Sequence, residues 1–461
     1  MAVQTDARKA RFETYRKFLN KEKIYCPASV PEKAEDNPFA GAGSYVLGPM
    51  VNTFVTWVLQ EALKSGKKRL HFLARDGYFM YRTAKIYVEK LNLPIDCRYV
   101  SCSRYSLRIP MYHLDVEDAM DYICRDSIDA TLTRVLNRAG LDMQEQKDVL
   151  NEIGETGHEN EPVPYVRLAE IKEKLYHSKM FMEYMLRHSE DAMPALQGYL
   201  RQEGFLDGVE DAIVDSGWVG SMQKTLNQML KSMGRKSELE GYYWGLYELP
   251  PGVPRETYHC YYFSPEGQLS EKVNFNNNLF ETIFSAPHGM TLRYEEKDGK
   301  YIPVYDSIAP ERKQYMEQLE TVLLGYTEKA AESVTDISAV NCRKDKKAMK
   351  KLLKLFMGNP TKDEAEVYGT LVFCDDVLEY GSRQLAAVMD EKDLTDNHVI
   401  NKILVMLGIR KTEIKESAWY EGSVVRCAKK RPRYHLMQYG MYKYLLYIRQ
   451  MYMWRRNNVQ R

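Results

Sequence analysis

The chain has 461 residues, with 65 Lys and Arg against 64 Asp and Glu, and 44% of its residues are apolar. Its length exceeds that of one small domain, and its apolar content excludes a disordered chain. Its net charge of +1 gives no reason to expect nucleic acid as a partner, because recognition of a phosphate backbone requires a broad basic face.

Sequence features that direct export or membrane insertion are not visible. The N-terminal 25 residues lack the apolar stretch of a secretion signal, and no run reaches the roughly 18 apolar residues of a membrane span. The eight cysteines are scattered without CxxC spacing, which favours reduced thiols. We therefore expect a protein of the cytoplasm, located either free or against the inner face of the cell membrane.

The first half of the chain alternates helical and extended patterns. Residues 1–43 predict a polar helix and a connector containing Pro, Asn and Gly. The elements predicted next are a helix over 45–63, a strand over 69–74, a helix over 78–91 and a strand over 96–103. Such alternation indicates a parallel sheet with right-handed crossovers.

A long helical pattern interrupts this sheet at residues 115–203, which we interpret as a helical insertion. The sheet resumes at Asp211, with further strands predicted over 238–249 and 255–263. A hairpin with Asp298-Gly299 at its turn closes the core. The predicted fold is thus α/β, with a Rossmann-like parallel-sheet core (44–114 and 204–305), the insertion and a helical C-terminal region (306–461).

Two polar turns follow predicted strands of this core. One is Arg75-Asp76-Gly77-Tyr78, and the other runs from Asp215 to Gln223. Ligands of open parallel sheets collect at the carboxyl ends of the strands, close to a switch in strand order. We expect both turns to face the same crevice.

The second turn has the features of a phosphate site. Gly217 and Gly220 let the backbone curl, and Ser221 supplies a hydroxyl where a helix begins. Backbone N–H groups and the positive end of the helix dipole would then point at one anion. Asp215 suits sugar hydroxyls or the water shell of a metal. In the first turn, the fork of the Arg75 guanidinium suits pyrophosphate oxygens, so the ligand predicted for the two turns carries phosphate at both ends.

Each of these features also has a purely structural interpretation. A turn of this kind reverses the chain in many α/β proteins, Trp218 could serve as core packing, and Arg75 and Asp76 could form a local ion pair. Sequence reasoning leaves these alternatives open.

Several blocks of the sequence resemble a known group of proteins. The blocks are LGPMVNTFVTWVL, LHFLARDGYFM, YVSCSRYSLRIP, AIVDSGWVGSMQKTL and FETIFSAPHGM, all within residues 44–305. They resemble polysaccharide-biosynthesis proteins often described as predicted HAD-superfamily hydrolases, in which a HAD phosphatase domain frequently precedes a second domain carrying Arg-Asp-Gly and Asp-x-Gly-Trp-x-Gly motifs. The chain looks like this second domain alone, because it shows no DxD nucleophile motif near its start.

The resemblance implies a fold, an activity and a cofactor. The second domain is similar to phosphoribosyltransferase-like enzymes that build ribofuranose into bacterial surface polysaccharides such as O antigen and capsule. It implies transfer of 5-phosphoribosyl from phosphoribosyl pyrophosphate to a glycan acceptor, which could be lipid-linked, with release of pyrophosphate and with Mg²⁺ as cofactor. A separate HAD-type phosphatase would then remove the 5-phosphate from the product.

The resemblance also implies roles for particular residues. Arg75, Gly77 and Tyr78 would bind pyrophosphate, and Asp76 would help to hold Mg²⁺. Ribose and the 5-phosphate would be held by Asp215, Ser216, Gly217, Trp218, Gly220 and Ser221, with Asp215 on the ribose hydroxyls or the metal. Ser103 and Arg104 could add contacts to pyrophosphate. One departure is that ordinary phosphoribosyltransferases place two adjacent acids in this loop, whereas Asp215 stands alone between Val214 and Ser216.

The implied reaction also needs a base for the acceptor hydroxyl. Glu281 is the first candidate, and Asp76 and His288 are the next, because carboxylates and imidazole can both be tuned to this task. Against these roles, Glu281 could lie on the exposed face of a short helix, and His288 could be a turn residue.

The C-terminal segment is basic and aromatic. After Glu421 the chain has no acidic residue, and Arg and Lys alternate with Tyr, Met, Leu and Trp. This composition is typical of a helix at an anionic membrane surface, although a terminal helix packed on its own domain would look similar.

Two other functions remain open from the sequence. One is a glycosyltransferase that uses a nucleotide-activated sugar. The other is a non-catalytic component of a polysaccharide assembly system that binds a sugar phosphate.

Overall fold

The computed structural model describes residues 2–24, 26–125, 130–373, 383–410 and 414–459. Five strands form an all-parallel sheet. They are β1 (Arg69–Leu73), β2 (Asp96–Val100), β3 (Asp211–Trp218), β4 (Glu240–Leu246) and β5 (Tyr258–Phe263). Their order across the sheet is β2-β1-β3-β4-β5, the order of doubly wound α/β proteins. The chain therefore has a Rossmann-like core.

Helices surround the sheet and fill the rest of the chain. The helices before β3 are α1 (Ala2–Glu22), α2 (Pro38–Ala42), α3 (Gly48–Lys64), α4 (Gly77–Leu91), α5 (Arg104–Arg108), α6 (Val116–Ile123), α7 (Leu132–Arg138), α8 (Met143–Glu152), α9 (Tyr165–His177) and α10 (Lys179–Gln202). Those that follow β3 are α11 (Ser221–Ser232), α12 (Leu269–Val273), α13 (Asn277–Ile283), α14 (Pro310–Glu332), α15 (Cys342–Phe356), α16 (Lys362–Gly369), α17 (Glu391–Asp396), α18 (Val399–Met406), α19 (Tyr420–Cys427) and α20 (Pro432–Val459). A π-helical turn at Gly43–Leu47 leads into α3.

Small antiparallel pairs complete the structure. The hairpin of β6 (Thr291–Lys297) and β7 (Lys300–Tyr305) turns at Asp298-Gly299, and the two-residue strands β8 (Val372–Phe373) and β9 (Arg383–Gln384) pair with each other.

Alternate residues of the central strands enter two different cores. Along β3, Ala212 and Val214 pack in a core with residues of α3, α4, α14 and α15. Ile213 points the other way, into a core with residues of α10 and α11. Because successive strand residues face opposite sides, both faces of the sheet are covered. The face that a residue of β3 occupies therefore decides which helices it meets.

The insertion has a core of its own, formed by residues of α6 to α10 that include Val135, Val149 and Phe181. The C-terminal region divides between two cores. Met316 of α14 and Leu352 of α15 share the core that covers β1 and β3, whereas Met389, Leu394, Tyr420 and Val424 form a small cluster of their own. The helices α14 and α15 therefore contribute directly to the stability of the sheet.

A buried ionic network closes the amino-terminal edge of the sheet. Arg235 follows α11 and donates to both oxygens of Asp211, at 2.5 and 3.0 Å, and His71 contacts the same carboxylate at 3.2 Å. Asp211 is 2% exposed, so the network anchors the start of β3.

The helices and strands predicted for the core are present, but several of them begin or end at other residues than predicted. The strand predicted over 96–103 ends at Val100, whose partner Leu73 is also the last residue of β1. The seven cysteines in the described part of the chain are free thiols, and Cys374 lies outside it.

Candidate functional site

The two polar turns meet at the point where strand order reverses. The chain passes from β1 to its neighbour β2 on one side and then to β3 on the other, which is where α/β sheets bind ligands. Asp76 follows β1 and precedes α4, and its carboxylate accepts a 2.5 Å hydrogen bond from the Ser216 hydroxyl on β3. The first turn and the β3 segment are therefore in contact at the carboxyl edge of the sheet, the side on which we expect the crevice.

The second turn is shorter than predicted. Asp215 was expected in the turn that follows the strand, but β3 continues to Trp218. It does so because β4 extends alongside it, with Asp215 opposite Tyr243 and Trp218 opposite Leu246. Asp215 and Ser216 are thus strand residues on opposite faces, and only Val219 and Gly220 separate β3 from α11.

Close backbone packing explains the two glycines of this segment. Gly217 has φ +113°, and a Cβ there would lie 2.5 Å from the carbonyl oxygen of Gly245. Gly220 has φ +69°, and its Cβ would lie 2.7 Å from the ring of Tyr258. Gly220 is the N-cap of α11 and has no side chain to cap it, so the first N–H groups of this helix stay available to an anion next to Ser221.

Three carboxyl groups at this edge of the sheet, Asp76, Asp215 and Glu281, have raised pKa values. Burial and the charge of Asp76 raise the pKa of Asp215 to about 7. Burial and the same charge raise the pKa of Glu281 to about 8. Burial also raises the pKa of Asp76. All three residues remain partly exposed, so a ligand in the crevice can reach them.

Glu281 lies on α13 and is fixed by Trp218, whose indole N–H donates to its Oε1 at 2.5 Å. The indole itself is 6% exposed and packs edge-on against Phe280 and beside Phe275. Trp218 therefore serves as core packing and as a positioning residue for Glu281. The alternative that Glu281 lies on an exposed helix face is wrong.

Arginines lie around the three carboxyls. Arg104, the exposed first residue of α5, lowers the pKa values of all of them by its charge, although burial outweighs this effect. The charges of Arg75 and Arg312 also lower the pKa of Asp76. Arg312 of α14 also donates to the carbonyl oxygen of Thr282, next to Glu281.

His288 is held as a neutral imidazole. Its Nδ1 lies 2.8 Å from the carbonyl oxygen of Gly289, so this nitrogen carries the proton and Nε2 accepts from the Tyr99 hydroxyl at 2.8 Å. Burial lowers the pKa of His288. Its basic nitrogen is engaged with Tyr99 and is therefore less available to accept another proton.

Three other predicted residues have local structural partners. The Ser103 hydroxyl caps α5 by accepting from the N–H of Ser106 and donates to the carbonyl oxygen of Thr291 at 2.6 Å. The Tyr78 hydroxyl donates to Glu320 of α14 at 3.0 Å. At Gly77, a Cβ would lie 3.1 Å from the backbone of Phe72. These contacts account for the three residues without a ligand, and their predicted binding roles stay predictions.

Two carboxylates, Asp76 and Asp215, are the candidates for holding the predicted magnesium ion. Within the described residues, no group of three or more His, Cys, Asp or Glu side chains is arranged to hold a metal. Mg²⁺ commonly takes only one or two carboxylates and completes its shell with water and substrate phosphates. Asp76 and Asp215 can supply these oxygens, and a cation between them would relieve their mutual repulsion.

Sequence reasoning missed Arg312 and Tyr99. Arg312 lies in a highly charged helix more than 90 residues after β3, and nothing in its local pattern distinguishes it. Tyr99 could have been found, because it lies near the carboxyl end of β2, at the edge of the sheet where the site was expected.

No protein-family model matches this chain, and no curated protein matches it.

Proposed function

We propose that this protein is a glycosyltransferase of bacterial surface-polysaccharide biosynthesis. It transfers 5-phosphoribosyl from phosphoribosyl pyrophosphate to a hydroxyl of a glycan acceptor and releases pyrophosphate. The observation that supports this proposal best is the 2.5 Å hydrogen bond between Ser216 and Asp76. It joins the loop after β1 to β3, so the starts of α4 and α11 can hold the two phosphate-bearing ends of one ligand.

The donor would lie across the two helix starts. The open N-terminus of α11 would bind the 5-phosphate near Ser221, and the loop from Arg75 would bind the pyrophosphate group. Arg104 is exposed and adds positive charge on the same side. Such preorganised cations stabilise the negative charge that collects on a departing pyrophosphate.

The reaction breaks the bond between C1 of the ribose and the pyrophosphate oxygen, and it forms a bond between C1 and the acceptor oxygen. The pair of electrons from the broken bond leaves with pyrophosphate, and the acceptor proton goes to Glu281. Trp218 keeps the Glu281 carboxylate in place through its N–H. Asp76 and Asp215 would hold Mg²⁺, which supplies further neutralisation of the pyrophosphate when it is bound.

The pH dependence of the reaction follows from Glu281. Its pKa is raised to about 8, and only the ionised carboxylate can accept a proton. kcat/KM, which reports the free enzyme, should therefore rise as the pH increases through about 8. The product keeps its 5-phosphate, so a separate phosphatase must act after this enzyme to yield plain ribofuranose.

The test is calorimetric titration of the full-length protein with phosphoribosyl pyrophosphate and Mg²⁺. We expect binding that inorganic pyrophosphate competes with, and at least tenfold weaker binding by Asp215→Asn and Arg75→Ala. Arg293→Ala, a change at an exposed position of the hairpin, is the matched control and should bind normally. Binding of nucleotide-activated sugars in preference to phosphoribosyl pyrophosphate, or no binding of either, would contradict the proposal.

A further inference from the structure

The long C-terminal helix α20 exposes a continuous apolar stripe. We call this set of side chains the outer stripe, and it consists of Tyr434, Met437, Met441, Tyr444, Leu445, Ile448 and Tyr452. Exposure within it ranges from 42% at Ile448 to 63% at Tyr452. At 3.6 residues per turn these positions fall within about 100° of arc, so they form one face of the helix.

The opposite face of α20 is already packed on the protein. The Tyr447 ring stacks on Tyr247 with centroids 5.3 Å apart, and Lys443 is 6% exposed and bonded to Glu421 at 3.0 Å. Packing against the chain therefore accounts for one apolar face but not for the outer stripe. A helix with apolar residues on both faces needs a second apolar environment.

The end of α18 widens this surface. Leu407 and Ile409, which follow the helix, are 62% and 66% exposed. The Arg449 side chain on α20 lies 3.1 Å from the sulfur of Met406, which places the two exposed regions side by side.

The charge that α20 itself carries has one sign. Residues 422–461 contain no Asp or Glu. Arg433 and Arg456 are exposed near the two ends of α20, and Lys429 and Lys430 are exposed just before it. An exposed apolar strip with basic residues along it matches the boundary of an anionic bilayer, where apolar side chains enter the acyl region and cations meet the headgroups.

We propose that the outer stripe and the end of α18 form a docking surface for an anionic lipid bilayer, with α20 lying in the plane of the membrane. Within the described residues every helix is too short or too polar to cross a bilayer, so the contact is peripheral. A second copy of the chain fits less well, because α20 would bring only positive charge to such an interface and offer no acidic partner.

Docking would also bring the crevice close to the membrane. The Tyr247 ring that supports Tyr447 lies 6.2 Å from the Trp218 ring, so one aromatic layer separates α20 from the residue that positions Glu281. If the proposed function holds, this arrangement suits a lipid-linked acceptor. The docking itself does not depend on that function.

Sedimentation of the full-length protein with vesicles tests the proposal without donor or acceptor. We expect binding to phosphatidylcholine vesicles that contain about one-third phosphatidylglycerol, little binding to phosphatidylcholine alone, and weaker binding at high salt. The triple variant Met441→Asn/Tyr444→Asn/Ile448→Asn should lose at least tenfold in the partition coefficient. The matched control Met143→Asn/Val388→Asn, at exposed apolar positions elsewhere, should bind like the parent.

Charge is tested separately with Arg433→Gln/Arg456→Gln, which should weaken partitioning about fivefold for each charge removed. Lys297→Gln/Lys300→Gln, at exposed positions of the hairpin, is the control. Equal binding to both kinds of vesicle, or unchanged binding by the triple variant, would overturn the proposal. So would a dimer that depends on the outer stripe in a protein that ignores vesicles.

Discussion

Replacing Glu281 by Gln tests whether the crevice holds a protonated carboxyl group. The Glu281 pKa rises from 4.5 to about 8 because of burial and then because of the nearby charge of Asp76. Gln keeps the shape and the oxygen that accepts from Trp218, but it never ionises. The change therefore removes the cost of ionising this side chain and little else.

The magnitude follows from proton linkage. In the unfolded chain Glu281 ionises near pH 4.5, whereas in the folded protein it ionises near 8, so folding becomes less favourable as the pH rises between these values. A shift of this size corresponds to at most about 5 kcal/mol, and solvent screening of a partly exposed group reduces it to about 2 kcal/mol. With an unfolding entropy of roughly 1 kcal/mol/K for a chain of this length, this is about 2 °C in Tm.

The assay compares the Tm of Glu281→Gln with that of the parent protein at pH 4 and at pH 8.5. We expect nearly equal values at pH 4, where the folded parent chain and most unfolded parent chains carry the proton, and a variant about 2 °C more stable at pH 8.5. Glu317→Gln, at an exposed position of α14, should show no such pH dependence. A Tm difference of the same size at both pH values would refute the reasoning, because it would show that Glu281 is not held protonated by its surroundings.

Three further predictions concern the framework and the charge of the site. Gly217→Ala should lower the free energy of unfolding by more than 3 kcal/mol or prevent folding, because its Cβ would lie 2.5 Å from a backbone oxygen. Gly66→Ala has open space around it and should lower the free energy of unfolding by about 1 kcal/mol. Thermal unfolding measures both changes. Arg235→Met should lower the stability by about 3 kcal/mol by removing the cation that pairs with the buried Asp211 carboxylate, and a denaturant titration in which the variant matches the parent would contradict this. Arg104→Gln should weaken calorimetric binding of inorganic pyrophosphate about tenfold at low salt, and unchanged affinity would remove this residue from the site.

The parallel core could be predicted because its strands are short apolar runs between turn signals. All five residues of β1 are buried, and a run of this kind between two helical patterns has few other interpretations. Strand ends were predicted less well, because they depend on the neighbouring strand. Nothing around Asp215 in the sequence reveals that β4 pairs as far as Trp218.

The site was predictable where its residues follow strands and not where they come from distant helices. Asp76 and Ser216 are separated by 140 positions, but both lie at the carboxyl edge of adjacent strands. The alternation of strands and helices in the sequence is enough to predict that they lie together. Arg312 reaches Asp76 from α14, and only tertiary packing places it there. Sequence patterns cannot supply this information, because a helix in a charged segment can present any of its residues to the core.

The raised pKa values resolve an apparent conflict between three acids and a polyanionic ligand. Three ionised carboxylates would repel a phosphorylated sugar. With pKa values of about 7 and about 8, however, Asp215 is partly protonated and Glu281 is largely protonated at neutral pH. Arg75 and Arg104 then leave the crevice with little net negative charge, so an anion can enter. In the proposed reaction, cations that accompany the ligand would favour ionisation of the same carboxyls, so Glu281 would accept a proton more readily once the ligand is in place.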